Sequence, residues 1–149
     1  MQRTLCVSAW LLGAGLLWLG GAQAADGPAL YAQHCAACHQ GEGQGTVGLA
    51  PALKGEHWQR LGRDRAYLSH VLLHGLSGLI VVNGERHASS MPAFGAQLDD
   101  EALAAIATHL QATIQGRQEP AYSAAELRAA REAGGSPPKS RERRAQALK

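Results

Sequence analysis

Cys35-Ala36-Ala37-Cys38-His39 concentrates two thiols and an imidazole within five residues. C-x-x-C-H is the spacing that attaches a c-type haem covalently. The thiols add to two vinyl groups as thioethers, and the two-residue spacer sets the sulfurs along one porphyrin edge. The adjacent histidine then carries a ring nitrogen to the iron. Cys35, Cys38 and His39 are the first candidate site residues, and one covalent haem c is the cofactor they imply. Two other chemistries use the same atoms. A dithiol redox pair needs a βαβ pattern around the motif, and none is present. A structural zinc site needs four ligands. No cysteine follows Cys38, and among His57, His70, His74, His87 and His109 only His70 and His74 stand at zinc-finger spacing, inside one helical stretch. The two thiols could also close a very short disulfide loop in an oxidising compartment.

A haem iron takes a second axial ligand. Met91, in Ser90-Met91-Pro92-Ala93-Phe94-Gly95, is the one methionine after Met1. It precedes a proline, which a loop tolerates and a helix does not. A thioether is a soft neutral donor that favours Fe(II) and raises the potential. The competing occupant of that position is one of the other histidines.

The elements that must hold these residues can be read from caps and periods. Asp26-Gly27-Pro28 opens a helix expected to run to about His39. Gln40 to Gly48 carries four glycines and reads as a loop. Asp64 is placed to cap a helix ending at Gly75. Leu79-Ile80-Val81-Val82 before Asn83-Gly84 predicts a small hairpin. Asp99 caps the clearest helix, with Leu98 and Leu103 placed for a hydrophobic staple. Its apolar positions Leu103, Ile106, Ala107, Leu110 and Ile114 keep the helical period up to Gly116. Ser123-Ala-Ala-Glu126 is a capping box for a short helix to about Ala133.

The ends differ from the middle. Residues 1–24 read as a signal peptide. A cationic start precedes an apolar run from Leu5 to Leu19, and Ala22-Gln23-Ala24 fits the small-x-small cleavage rule. The run is short for a membrane span, and the alternative is an uncleaved anchor. Cys6 lies too early to carry a lipid at the cleavage site. The remaining chain is expected in the periplasm, where bacterial haem attachment also takes place. It keeps only five aromatic side chains, Tyr31, Trp58, Tyr67, Phe94 and Tyr122. A bound cofactor would complete so thin a core. From Gly134 the chain reads as a disordered basic tail, with five basic residues and one acidic between Lys139 and Lys149. The full chain of 149 residues has a formal net charge of +2, no excess that points to nucleic acid.

Taken in order, the motifs resemble class I cytochrome c, of the kind serving periplasmic dehydrogenases. They are Gly27-x-x-x-Tyr31-x-x-x-Cys35-Ala-Ala-Cys38-His39, Ala50-Pro51-x-Leu53-x-Gly55, Met91-Pro92 and an amphipathic last helix. The resemblance implies an all-α fold, helices around one covalently bound haem, with a short β-hairpin before the Met ligand loop. It implies a cytochrome c domain over 25–116, then a C-terminal extension with a short helix over 117–133 and the tail over 134–149. It implies that the Pro51 carbonyl accepts a hydrogen bond from His39, and that Gly27 and Tyr31 lie where the first and last helices cross. The segment from His74 to Gly84 is similar to the one before the ligand loop in cytochromes that serve dehydrogenases. One departure stands out: His109 and Ile114 occupy places where the family often has aromatics.

With His39 and Met91 on the iron, no coordination position stays open, and the expected function is one-electron transfer without catalysis. The partners expected are redox proteins: a dehydrogenase as donor, and an oxidase or another cytochrome as acceptor. Membrane contact is expected only through the basic tail or an uncleaved signal. The competing functions are a haem subunit of an oxidoreductase complex, a haem enzyme or gas sensor with a displaceable Met91, and a non-haem thiol or zinc protein.

Overall fold

The structure is a computed structural model and describes residues 25–149. The signal segment, residues 1–24, lies outside the described residues. Helix α1 (Gly27–His34) starts where expected, with the Asp26 carboxylate accepting from the Ala29 N–H at 3.1 Å. It does not run unbroken to His39. Cys35, at φ −122°, interrupts it, and a single further turn, α2 (Ala36–His39), follows. The break re-aims the attachment motif relative to the α1 axis.

Helix α3 (Glu56–Leu61) was not legible in the sequence, because six residues are too few for a periodic signal. It buries His57, Trp58 and Leu61. Helix α4 (Arg65–His74) ends at Gly75. Strands β1 (Ile80–Val82) and β2 (Glu85–His87) pair antiparallel, with Ile80 opposite His87. Asn83 and Gly84 both have positive φ, 52° and 84°, as the tight hairpin turn demands. Helix α5 (Asp100–His109) is capped by Asp99, which accepts from the Ala102 N–H at 2.8 Å.

The last turn of the predicted helix is π-helical, over Leu110–Ile114. Gln111, fully buried there, explains it. Its side-chain amide donates to the carbonyls of Glu119 at 2.8 Å and Pro120 at 3.2 Å, tying the following extended segment to the helix.

The core gathers α1, α4 and α5. Leu61, Leu72, Leu103 and Ile106 are among its most deeply buried side chains. Gly27 lets α1 and α5 touch: a Cβ there would lie 2.5 Å from the Ala105 carbonyl oxygen. The Tyr31 ring sits 5.3 Å from the His109 ring. The crossing that the resemblance implies is therefore between α1 and α5, with histidine in an aromatic place.

Helix α6 (Ala124–Ala133) carries the full capping box and buries Leu127 completely. It is pinned to α4 by Arg65, whose Nε donates to Glu126 at 2.5 Å and whose guanidinium lies 4.0 Å from the Tyr122 ring centre. Hydrogen bonding from Arg65, reinforced by Ser123, brings the Glu126 carboxyl down from 4.5 to about 2. A carboxyl depressed by folding stabilises the folded state above its unfolded value and loses that contribution as pH falls through the folded one. Wild type is therefore expected to be more stable than Glu126→Gln at neutral pH. The difference should shrink as pH falls from about 4.5 toward about 2, which paired urea melts across that range would read.

The expectation of a disordered tail over 134–149 is overturned. Helix α7 (Pro137–Ala147) forms and packs on α4 and α3. Ser136 caps it, and proline fits its first turn. Arg143 pairs with Asp64, one of its two bonds measuring 2.7 Å, and Ser140 Oγ lies 2.9 Å from His70 Nδ1. Asp64 thus holds the N-cap position of α4 without capping it; its carboxylate serves α7 instead. A charge-rich composition suggests solvent, but here the partners wait on another helix. No helix among the described residues is long and apolar enough to cross a membrane.

Candidate cofactor site

All five predicted site residues, Cys35, Cys38, His39, Pro51 and Met91, line one largely apolar cavity of about 1090 Å³, its mouth included. Helix α2 and its N-cap residue Cys35 bring the two thiols and His39. Both thiols are free, Cys35 buried and Cys38 exposed. Burial pushes the Cys35 thiol up to about 11, and Cys38 adds to the shift. A redox dithiol has its nucleophile shifted the other way, so this pair is poorly built for disulfide exchange.

His39 is buried, with Nδ1 2.9 Å from the Pro51 carbonyl oxygen. A carbonyl only accepts, so Nδ1 carries the proton and Nε2 keeps its lone pair. Burial lowers the His39 pKa from its ordinary value. The Pro51 bond works against that shift and nearby His87 adds to it. The ring is thus a neutral, oriented donor, as a metal-ligating histidine must be. Gly45 keeps Pro51 in place. At φ +79°, a Cβ on it would meet the Ala50 carbonyl oxygen at 2.6 Å and the Ala52 nitrogen at 2.7 Å. Backbone can press this closely only where there is no side chain.

Met91 is held from a different part of the chain. Its backbone forms an isolated bridge with Leu76: Met91 N–H donates to the Leu76 carbonyl at 2.9 Å, and Leu76 N–H returns a bond at 3.2 Å. Gly75 lies under this bridge at φ +73°, where a Cβ would come within 2.6 Å of the Met91 carbonyl oxygen. Gly75→Ala should therefore act on the Met91 loop as well as on helix α4. Gly75 pairs φ +73° with ψ −175°, a conformation essentially reserved for glycine that costs another residue on the order of 1–3 kcal/mol, and the crowding adds a further amount on the order of 1–3 kcal/mol. The expected result is a lower melting temperature and, with Met91 as the axial donor that the sequence predicts, a weaker optical signature of methionine ligation in the same sample. A drop in stability with that signature intact would place the damage in α4 alone.

Other lining residues carried no sequence signal. His57 Nε2 and Trp58 Nε1, from α3, share the Ala52 carbonyl at 3.2 and 3.3 Å. Tyr67 lines the cavity from α4 and Arg144 reaches it from α7. Both lie in segments whose pattern said nothing of a site. The remaining histidines read as surface or satisfied positions, and the structure corrects this for three. His57 Nδ1, His74 Nε2 and His87 Nδ1 are buried with no hydrogen-bond partner among the described residues.

Comparison with known proteins decides what the cavity belongs to. The family model described as cytochrome c oxidase, cbb3-type, subunit III matches residues 22–110, more than half of the sequence. The chain belongs to the cytochrome c family. It is 46% identical over 112 residues to a cytochrome c-552 of Thermus thermophilus, covering 74% of this chain and 70% of that one. It is 31% identical over 90 residues to a cytochrome c6 of Microcystis aeruginosa, covering 60% of this chain and 96% of the relative. It is 39% identical over 121 residues to a dihydro-heme d1 dehydrogenase of Pseudomonas aeruginosa, covering 79% of this chain but 21% of that protein. As a member of this family it carries a covalently bound haem c and transfers single electrons, as a free carrier or as a subunit. The residues present fit that group. The cavity walls are largely apolar, two free thiols stand on one short helix and its N-cap, and a neutral imidazole and a thioether come from separate elements.

Proposed function

We propose that this cytochrome is a periplasmic electron carrier, with Cys35 and Cys38 holding the haem, and His39 and Met91 as axial ligands. The observation that carries this reading is the Nδ1-to-Pro51 bond of His39, in a cavity that also gathers both thiols and Met91. When bound, the haem supplies a one-electron Fe(II)/Fe(III) couple. The chain's own residues do the rest. Pro51 orients the imidazole and keeps its ligating nitrogen free. The bridge from Leu76 holds the thioether donor in one loop position, so the electronic change meets a pre-set environment. Apolar walls exclude water and favour the less charged reduced state.

Dehydrogenases are the proposed donors, and an oxidase or another cytochrome the acceptor. The likeness of the chain to a fifth of a dihydro-heme d1 dehydrogenase, and its 35% identity over 98 residues to a gluconate 2-dehydrogenase cytochrome c subunit, support this donor class. They support equally a role as the haem subunit of such a complex. Export is supported by the N-terminal apolar run and its small-x-small site. Leu49, which lines the cavity, and Val47 in the same loop are exposed, an apolar surface suited to a transient partner.

The test is a set of oxidised and reduced optical spectra on protein exported in a haem-attaching host, followed by carbon monoxide. The expected result is a sharp reduced α-band, the weak long-wavelength ferric band of methionine ligation, and no carbon monoxide adduct. Tight carbon monoxide binding to the native reduced protein would move the reading to an enzyme or sensor with displaceable Met91.

A further inference from the structure

The C-terminal helix α7 was expected to be a solvated tail, yet it sends one cation into the cavity. Arg144 lines the cavity and is 5% exposed. Its Nη2 is buried and has no hydrogen-bond partner among the described residues. No carboxylate of the described residues pairs with it. Asp64, the N-cap residue of α4, is taken by Arg143. Polar groups beside it include the Tyr67 hydroxyl, which it hydrogen-bonds, and the ring of His57, neither of them an anion.

A guanidinium cannot shed its charge. Burying one without a counter-ion costs several kcal/mol, and the rest of α7 shows that the helix does not need it for anchorage. Arg143 and Ser140 already tie the helix to α4. The missing anion must therefore arrive with the occupant of the cavity. On a porphyrin of the c type the anions are the two propionate carboxylates, and a planar guanidinium fork matches a carboxylate with two parallel hydrogen bonds.

We propose that Arg144 binds a haem propionate, so that α7, beyond the matched family region 22–110, forms one wall of the haem site and helps set its potential. The inference rests on the haem reading above. A positive charge held against the propionate offsets its negative charge and disfavours Fe(III). Loss of that charge should shift the couple toward the oxidised form.

The test uses full-length holoprotein. Arg144→Gln is expected to shift the Fe(II)/Fe(III) equilibrium about tenfold toward Fe(III), which is 59 mV for one electron, and to move the propionate bending modes in resonance Raman spectra. Arg144→Lys keeps the charge but not the fork. It should hold the equilibrium within about threefold of wild type while still altering those modes. Arg143→Gln cuts an anchor of α7 outside the cavity and should leave the modes in place. Propionate modes and potential unchanged in folded Arg144→Gln would overturn the proposal. So would equal shifts in Arg143→Gln, which would trace the effect to a detached helix. Should Arg144→Gln not fold, Arg144→Lys decides: altered modes support the pairing, and unaltered modes overturn it. Wild-type protein without haem overturns this inference together with the haem reading. Haem-loaded wild type with indistinguishable Arg144 variants overturns this one alone.

Discussion

Cys35→Ser combined with Cys38→Ser is expected to abolish covalent haem attachment and, with it, cooperative folding. The cavity gathers α2, α3, α4, the hairpin, the Met91 loop and α7 around one space of about 1090 Å³. Its enclosed part is about 140 Å³, and at roughly 24 cal/mol per Å³ leaving that empty would cost about 3 kcal/mol. That is a large share of an ordinary domain's stability, about 5–15 kcal/mol. The protein keeps only five aromatic side chains after residue 24, so little else can collapse into the space. Haem staining on a denaturing gel reads the attachment, and near-ultraviolet circular dichroism reads the packing. Single substitutions should be milder, because one thioether still tethers the ring. A double variant that melts cooperatively, with native near-ultraviolet signal and no haem, would show that the polypeptide core suffices.

The second large effect is expected at Met91. Met91→Ala should keep covalent haem but open one coordination position. The ferric methionine band should vanish and carbon monoxide should bind the reduced form. Met91→His should close the position again and reject carbon monoxide. Its imidazole donates more charge than a thioether and stabilises Fe(III). The reduced-to-oxidised ratio at fixed potential should then fall at least tenfold, about 59 mV, within the roughly 0.8 V that axial ligands span. Unchanged spectra in Met91→Ala would give the position to a histidine. His87 would be the next to substitute, since it is buried, lines the same cavity and has an unpartnered Nδ1.

The site was more legible than the walls around it. Cys35, Cys38, His39 and Met91, the proposed haem-binding set, could be named from sequence because covalent attachment and soft ligation demand particular atoms at particular spacings, and the structure gathers them in one cavity. Pro51 came only through the resemblance, since a backbone carbonyl leaves no side-chain signature. The capped helices were legible for a similar reason. Asp26, Asp99 and Ser123 each make the local bond that their position suggests. Asp64 was misread, because nothing local reveals that its carboxylate is claimed by Arg143, 79 residues away. The π-helical turn was hidden too, since it depends on Gln111 reaching the carbonyls of Glu119 and Pro120.

The largest misreading, the disordered tail, shows where the boundary lies. Composition reports how much charge a segment carries, and a basic run with few apolar residues reads as solvated. Whether that charge meets solvent or partners depends on surfaces far along the chain. The sequence alone determined the cofactor chemistry, the two proposed axial donors, the hairpin and the capped helices, because each rests on covalent spacing or on bonds within one or two turns. Only the tertiary structure decided that α1 breaks at Cys35, that Gly75 and Gly45 brace the Met91 and Pro51 loops, and that α7 closes the cavity with Arg144. Those features rest on close approach and charge pairing between distant segments, which no local pattern records.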